Sequence, residues 1–85
     1  MQIELTPLAK SHLLFWRETG NKPILRKIEQ IVASIIEDPY KGIGKPEPLK
    51  HQLAGKWSRR INKEHRLIYA VSEHTLFIFS MKGHY

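Results

Sequence analysis

Trp57 to Met81, WSRRINKEHRLIYAVSEHTLFIFSM, is the stretch that decides the fold. It divides into three extended segments, Trp57 to Ile61, Arg66 to Val71 and Leu76 to Met81, separated by short polar runs at Asn62 to His65 and Ser72 to Thr75. Segments rich in β-branched and aromatic residues, joined by turns too short to hold a helix, predict an antiparallel meander. In the middle segment Leu67, Tyr69 and Val71 fall on one face, while Arg66, Ile68 and Ala70 fall on the other. LFIFSM is apolar on both faces, which places it inside the sheet rather than at an edge.

Working back from the meander, residues 40–53 change to Gly, Pro and Lys, with Gly42, Gly44, Pro46 and Pro48 giving an irregular connection. Before it, Ile24, Ile28, Ile31 and Ile35 form a stripe widened by Leu25, Val32 and Ile36, which predicts a helix with one buried face. Asp38-Pro39 ends that helix, because a residue preceding proline is driven out of helical geometry. An earlier helix starts with Thr6 as N-cap and Pro7 at its first position. It carries Leu8, Ala9, His12, Phe15, Trp16 and Thr19 at three- and four-residue spacing and stops at Gly20. Ile3 and Leu5 flank Glu4 in a short alternating strand. The expected architecture is a single α+β domain over residues 1–85, with a helical hairpin packed on a small twisted antiparallel-rich sheet.

An 85-residue chain with 41% hydrophobic and 26% charged residues can build one core and little more. There is no cysteine, so neither a disulfide nor a thiolate zinc site can brace it, and a reducing compartment is expected. No apolar run approaches the length of a membrane span. The reading is a soluble cytosolic protein.

Charge is distributed unevenly. Residues 41–66 hold Lys41, Lys45, Lys50, Lys56, Arg59, Arg60, Lys63 and Arg66 against Glu47 and Glu64, a surplus equal to the +6 of the whole chain. Clustering of one sign points to a polyanionic partner, most commonly nucleic acid. Gly42-Ile43-Gly44-Lys45 hints at a phosphate loop, but Pro46 follows the lysine and removes a backbone donor. A recognition helix is disfavoured because residues 1–40 carry balanced charge. The five histidines show no i, i+4 pair and no cysteine companion, so no metal or other cofactor is expected.

Glu47, Arg66 and the terminal His84-Tyr85 attract attention beside this window. Each has an ordinary reading as an ion-pair partner, a strand end or a frayed terminus. Together they match what metal-free RNA cleavage requires: a base for the 2′-hydroxyl, a cation for the phosphorane, and an acid for the 5′-oxygen.

The run GKPEPLKHQLAGKWSRRINKEHRLIYAV, Gly44 to Val71, resembles the signature of the Txe/YoeB family of toxin–antitoxin toxins, small RelE-like endoribonucleases. Trp16-Arg17-Glu18-Thr19 and His84-Tyr85 extend the resemblance over nearly the whole chain. It implies cleavage of messenger RNA in the ribosomal A site by a protein restrained by an antitoxin. Carried over by position, the KPEPLKH glutamate falls on Glu47 as general base, the EHRL arginine on Arg66 for the phosphorane, and the penultimate histidine on His84 as general acid. The terminal aromatic falls on Tyr85, which helps position RNA. Lys45, Lys50, His51, Arg59, Arg60 and Lys82 are the basic residues expected to contact RNA or the ribosome.

Implied partners are an acidic antitoxin of the YefM/Axe type, the 70S ribosome and messenger RNA, with a homodimer as an additional expectation and no membrane. Gly83 stands where the family often has an aromatic residue, and it is expected to loosen the backbone before His84. Two other readings make different predictions. A non-catalytic RNA- or ribosome-binding module would bind with strong salt dependence and create no new RNA ends. A plain protein-binding domain would recognise an acidic peptide.

Overall fold

The computed structural model describes residues 1–83. The chain runs through β1 (Gln2–Leu5), α1 (Pro7–Glu18), α2 (Lys22–Glu37), β2 (Glu47–Pro48), a 3-10 turn (His51–Leu53), β3 (Trp57–Arg60), β4 (Arg66–Ser72) and β5 (Thr75–Ser80). The five strands form one sheet in the order β1-β5-β4-β3-β2. Neighbours are antiparallel except β1, which lies parallel to β5 with Ile3 beside Leu76 and Leu5 beside Ile78. β5, apolar on both faces, sits inside the sheet as its composition requires.

Both helices cover the same face. The α2 stripe of Ile24, Ile28, Ile31 and Ile35 is buried in full and meets Leu67, Tyr69, Leu76 and Ile78 from the sheet. Each such aliphatic side chain contributes roughly 1.5–3 kcal/mol through burial. Thr6 caps α1 by accepting from Ala9 N at 3.1 Å, and its hydroxyl donates to Phe79 O at 3.1 Å, which ties the helix start to β5. Asn21 caps α2 through Ile24 N at 3.2 Å. The β4–β5 hairpin turns on Glu73 and His74, both left-handed at φ 47° and 65°, as a type I′ turn requires.

Two details differ from the sequence reading. The contact face of α1 is Ala9, Leu13 and Trp16, whereas Leu8 and Phe15 are exposed, because small Ala9 lets the helix lie close to β5. The Gly-Pro connection also contains β2, an edge strand of two residues that pairs with Trp57 and Ser58. Two residues show no periodicity, and Pro48 is admissible only because it lies at an edge.

Candidate functional site

Side chains directly opposite one another on paired strands point to the same face. Trp57 opposite Tyr69 and Arg59 opposite Leu67 therefore face the helices. Glu47 opposite Ser58, Ser58 opposite Ile68, and Arg60 opposite Arg66 face away from them. Glu47 and Arg66 thus share the face without helices, two strands apart and offset by two residues. Those steps correspond to roughly 10 Å across the strands and about 7 Å along them. A phosphodiester lying over that span is within reach of both long side chains.

The β3–β4 turn forms around Asn62, whose Oδ1 accepts from Glu64 N at 2.9 Å and His65 N at 2.8 Å. Arg66 emerges from this turn with Nη1 donating to Asn62 O at 3.0 Å, so its guanidinium rests against the turn. Among the described residues only Nη1 of its five-donor fork is engaged.

On the other side of Glu47, the loop residues Lys45 and His51 adopt left-handed backbone at φ 51° and 59°. Glu47, Pro48, Leu49, Lys50, His51 and Leu53 line a shallow cavity of about 290 Å³. Lys45, Glu47, Lys50, His51 and Arg60 are all exposed, and Lys50 and His51 share the cavity with the carboxylate. Lys82 is exposed but turns toward α1, its ammonium 4.7 Å from the centre of the Phe15 ring.

Arg59 corrects the sequence reading. It is completely buried and cannot meet RNA. Nε donates to Tyr69 Oη at 3.1 Å, Nη1 to Ser34 Oγ at 2.7 Å and Ile43 O at 3.2 Å, and Nη2 to Asp38 O at 2.8 Å and Lys41 O at 3.1 Å. All five N–H donors are therefore satisfied by hydroxyls and carbonyls, which is what makes the burial of a cation tolerable.

Tyr69 completes the network by donating to Pro39 O at 2.6 Å. Burial pushes its phenol above the ordinary value, and Arg59 partly opposes that shift. The Gly42-Ile43-Gly44 run that hinted at a phosphate loop is packed around this guanidinium. A Cβ on Gly42 would collide with Ser34 Oγ, and one on Gly44 would stand 3.1 Å from Arg59 Cβ. The glycines let the loop close on Arg59 and deliver Lys45 and Glu47 to the edge of the sheet.

The last paired residue of β5 is Ser80. Beyond it Met81 N donates to His12 Nδ1 at 3.0 Å, and Met81 O accepts from Trp16 Nε1 at 2.9 Å. Gly83 N donates to His65 Nδ1 at 2.8 Å, while Gly83 O accepts from Arg66 N at 2.8 Å. Gly83 is therefore not loose as its composition suggested, since both of its backbone polar groups are bonded. Its left-handed φ of 75° explains why glycine serves here. His84 and Tyr85 lie outside the described residues.

Burial, with Lys82 adding to it, holds the His12 imidazole below its ordinary value of 6.5. His12, Trp16 and His65 were not legible as site residues. The first two read as part of a helix face, and His65 as a turn residue. Only the tertiary fold carries them to the chain's last segment.

A family model of YoeB-like toxins of bacterial type II toxin–antitoxin systems matches residues 6–85. Toxin YoeB of Synechocystis is 46% identical over 85 residues, covering 100% of this chain and 98% of the relative. The YoeB dimer from Staphylococcus aureus superposes with a TM-score of 0.92 at 40% identity, covering 100% of this chain and 98% of that one. The YoeB–YefM complex from the same organism gives 0.91 at 41% identity with the same coverage. The α+β fold of RelE-like type expected from the resemblance is the fold found.

Proposed function

Since the chain belongs to the family of YoeB-like toxins of bacterial type II toxin–antitoxin systems, we propose that it is an endoribonuclease that cleaves messenger RNA in the ribosomal A site and so arrests translation. The observation that carries this reading is the strand register that sets Glu47 and Arg66 on one open face, with Gly83 bonded to Arg66.

Glu47 takes the proton of a 2′-hydroxyl, and the freed oxygen attacks the adjacent phosphorus. Arg66 swings from the turn to the equatorial oxygens of the phosphorane, where a guanidinium has most effect on developing charge. His84 follows Gly83 in sequence and gives its proton to the departing 5′-oxygen; Tyr85 holds the neighbouring nucleotide. The products are a 2′,3′-cyclic phosphate and a free 5′-hydroxyl, and no metal is required. Lys45, Lys50, His51 and Arg60 meet phosphates of message or ribosomal RNA, while Arg59 acts only by shaping the loop that carries Glu47.

Inhibition follows from the same charge. An acidic, partly disordered antitoxin that orders itself on the basic surface would exclude RNA from it. The Staphylococcus aureus relatives, one with YefM and one as a dimer, support an antitoxin of that kind and self-association. The reading also places the protein in the cytosol with the ribosome.

The test maps RNA 5′ ends after the purified protein is added to a free message and to the same message on ribosomes with a filled P site. A new end at the A-site codon only on ribosomes is expected, and Glu47→Ala and His84→Ala should remove it without unfolding the protein. Ribosome binding without any new end would replace this reading with the non-catalytic module.

A further inference from the structure

We propose that His12, Trp16 and His65 are positioning residues that hold segment 81–83 beside Arg66, and that the rate of cleavage depends on this because His84 is the next residue in sequence. This rests on the reading of His84 as general acid.

The sheet itself cannot provide that alignment, because the β4–β5 ladder ends at Ser80. Past this point the described backbone keeps one backbone–backbone bond, Arg66 N to Gly83 O. The other polar groups of Met81 and Gly83 are held by side chains from α1 and from the β3–β4 turn.

Attachment alone would not need these bonds. The Met81 side chain is 1% exposed and already anchors the segment in the core. The three side chains add direction, fixing the peptide planes on either side of Lys82. Two of them touch: the Trp16 ring stands edge-on to His65, with centroids 4.8 Å apart at 74°. Both imidazoles accept through Nδ1, so each carries its proton on Nε2. A general acid displaced by about 1 Å can lose on the order of 100-fold in rate. The clamp therefore matters more to catalysis than to folding.

The experiment measures single-turnover cleavage of a message on P-site-filled ribosomes as a function of protein concentration. His65→Leu should slow the step at saturation by about tenfold or more, a part of the cost of a misplaced acid. The half-saturating concentration should stay unchanged. His65→Gln, whose amide oxygen can accept from Gly83 N–H, should recover most of the rate. Trp16→Phe keeps the ring but drops the indole donor, and should slow the same step; it decides the matter if His65→Leu fails to fold.

Wild-type rates in His65→Leu or Trp16→Phe would overturn the clamp, as would His65→Gln being as slow as His65→Leu. If the wild-type protein itself makes no cut, the nuclease reading fails, and the positioning role with it. The hydrogen bond can still be checked alone by the NMR coupling across Gly83 N–H to His65 Nδ1, and its absence would overturn the geometry independently.

Discussion

Arg59 and Arg60 are neighbours in one strand with opposite surroundings. Arg59 faces the helices, fully buried with every donor engaged, while Arg60 is exposed opposite Arg66. The two faces of the sheet differ in the same way. One is closed by Ile24, Ile28, Ile31 and Ile35; the other carries Glu47 and Arg66 without a covering helix. The contrast shows that a block of positive charge along a chain is not yet a positive surface. The period of two along a strand sends alternate members of the block inward, where a cation must be solvated by the protein itself.

The sharpest way to break this comparison is to truncate each arginine. Arg59→Ala should cost about 3–5 kcal/mol, because its network then leaves buried hydroxyls and carbonyls without donors. Urea unfolding should show that loss, whereas Arg60→Ala should leave the midpoint nearly unchanged. Equal effects would mean that the two faces are not distinct.

Tyr69→Phe tests the same network from the other strand. Losing its hydroxyl, which joins Arg59 to Pro39, should cost roughly 1–3 kcal/mol by the same denaturation measurement.

Acid should act on the α1 side. The His12 imidazole is held below 6.5 in the folded protein, so the unfolded chain takes up a proton more readily. The stability this provides is complete above the unfolded pKa of 6.5 and is lost as the pH falls through the lower folded value. His12→Gln should flatten that part of a stability-versus-pH curve.

The smallest effect belongs to the open face. Arg60→Ala should reduce the slope of log affinity against log salt for single-stranded RNA by about 0.7, the release of one phosphate's counterion. An unchanged slope would take Arg60 out of the RNA surface.

Much of the architecture could be read from local pattern. The α2 stripe, the three strands of the meander and the inner position of β5 each rest on a period or on a segment apolar on both faces. Arg59 was misread because its type outweighed its position, although the alternation that puts Leu67 inward puts Arg59 there too once strand register is known. The contact face of α1 depended on how closely Ala9 approaches β5, which no periodicity specifies. Glu47 and Arg66 could be named from their chemistry and family motif, but their common face needed the register of three strands. His12, Trp16 and His65 lay beyond local reading, since their partners are up to 69 residues away in the chain.

The parallel pairing of β1 with β5 also bears on how the protein is made. β5 is the strand against which both the first strand and β4 are laid, yet it is synthesised after them. A chain released before Thr75 lacks the strand that joins β1 to β4, and one still emerging cannot close β1 against anything. Such long-range closure is slow to begin and is completed late. A prematurely terminated product should therefore be an unfolded target for proteolysis rather than a partly active toxin, so errors in synthesis carry little danger for the cell that makes it.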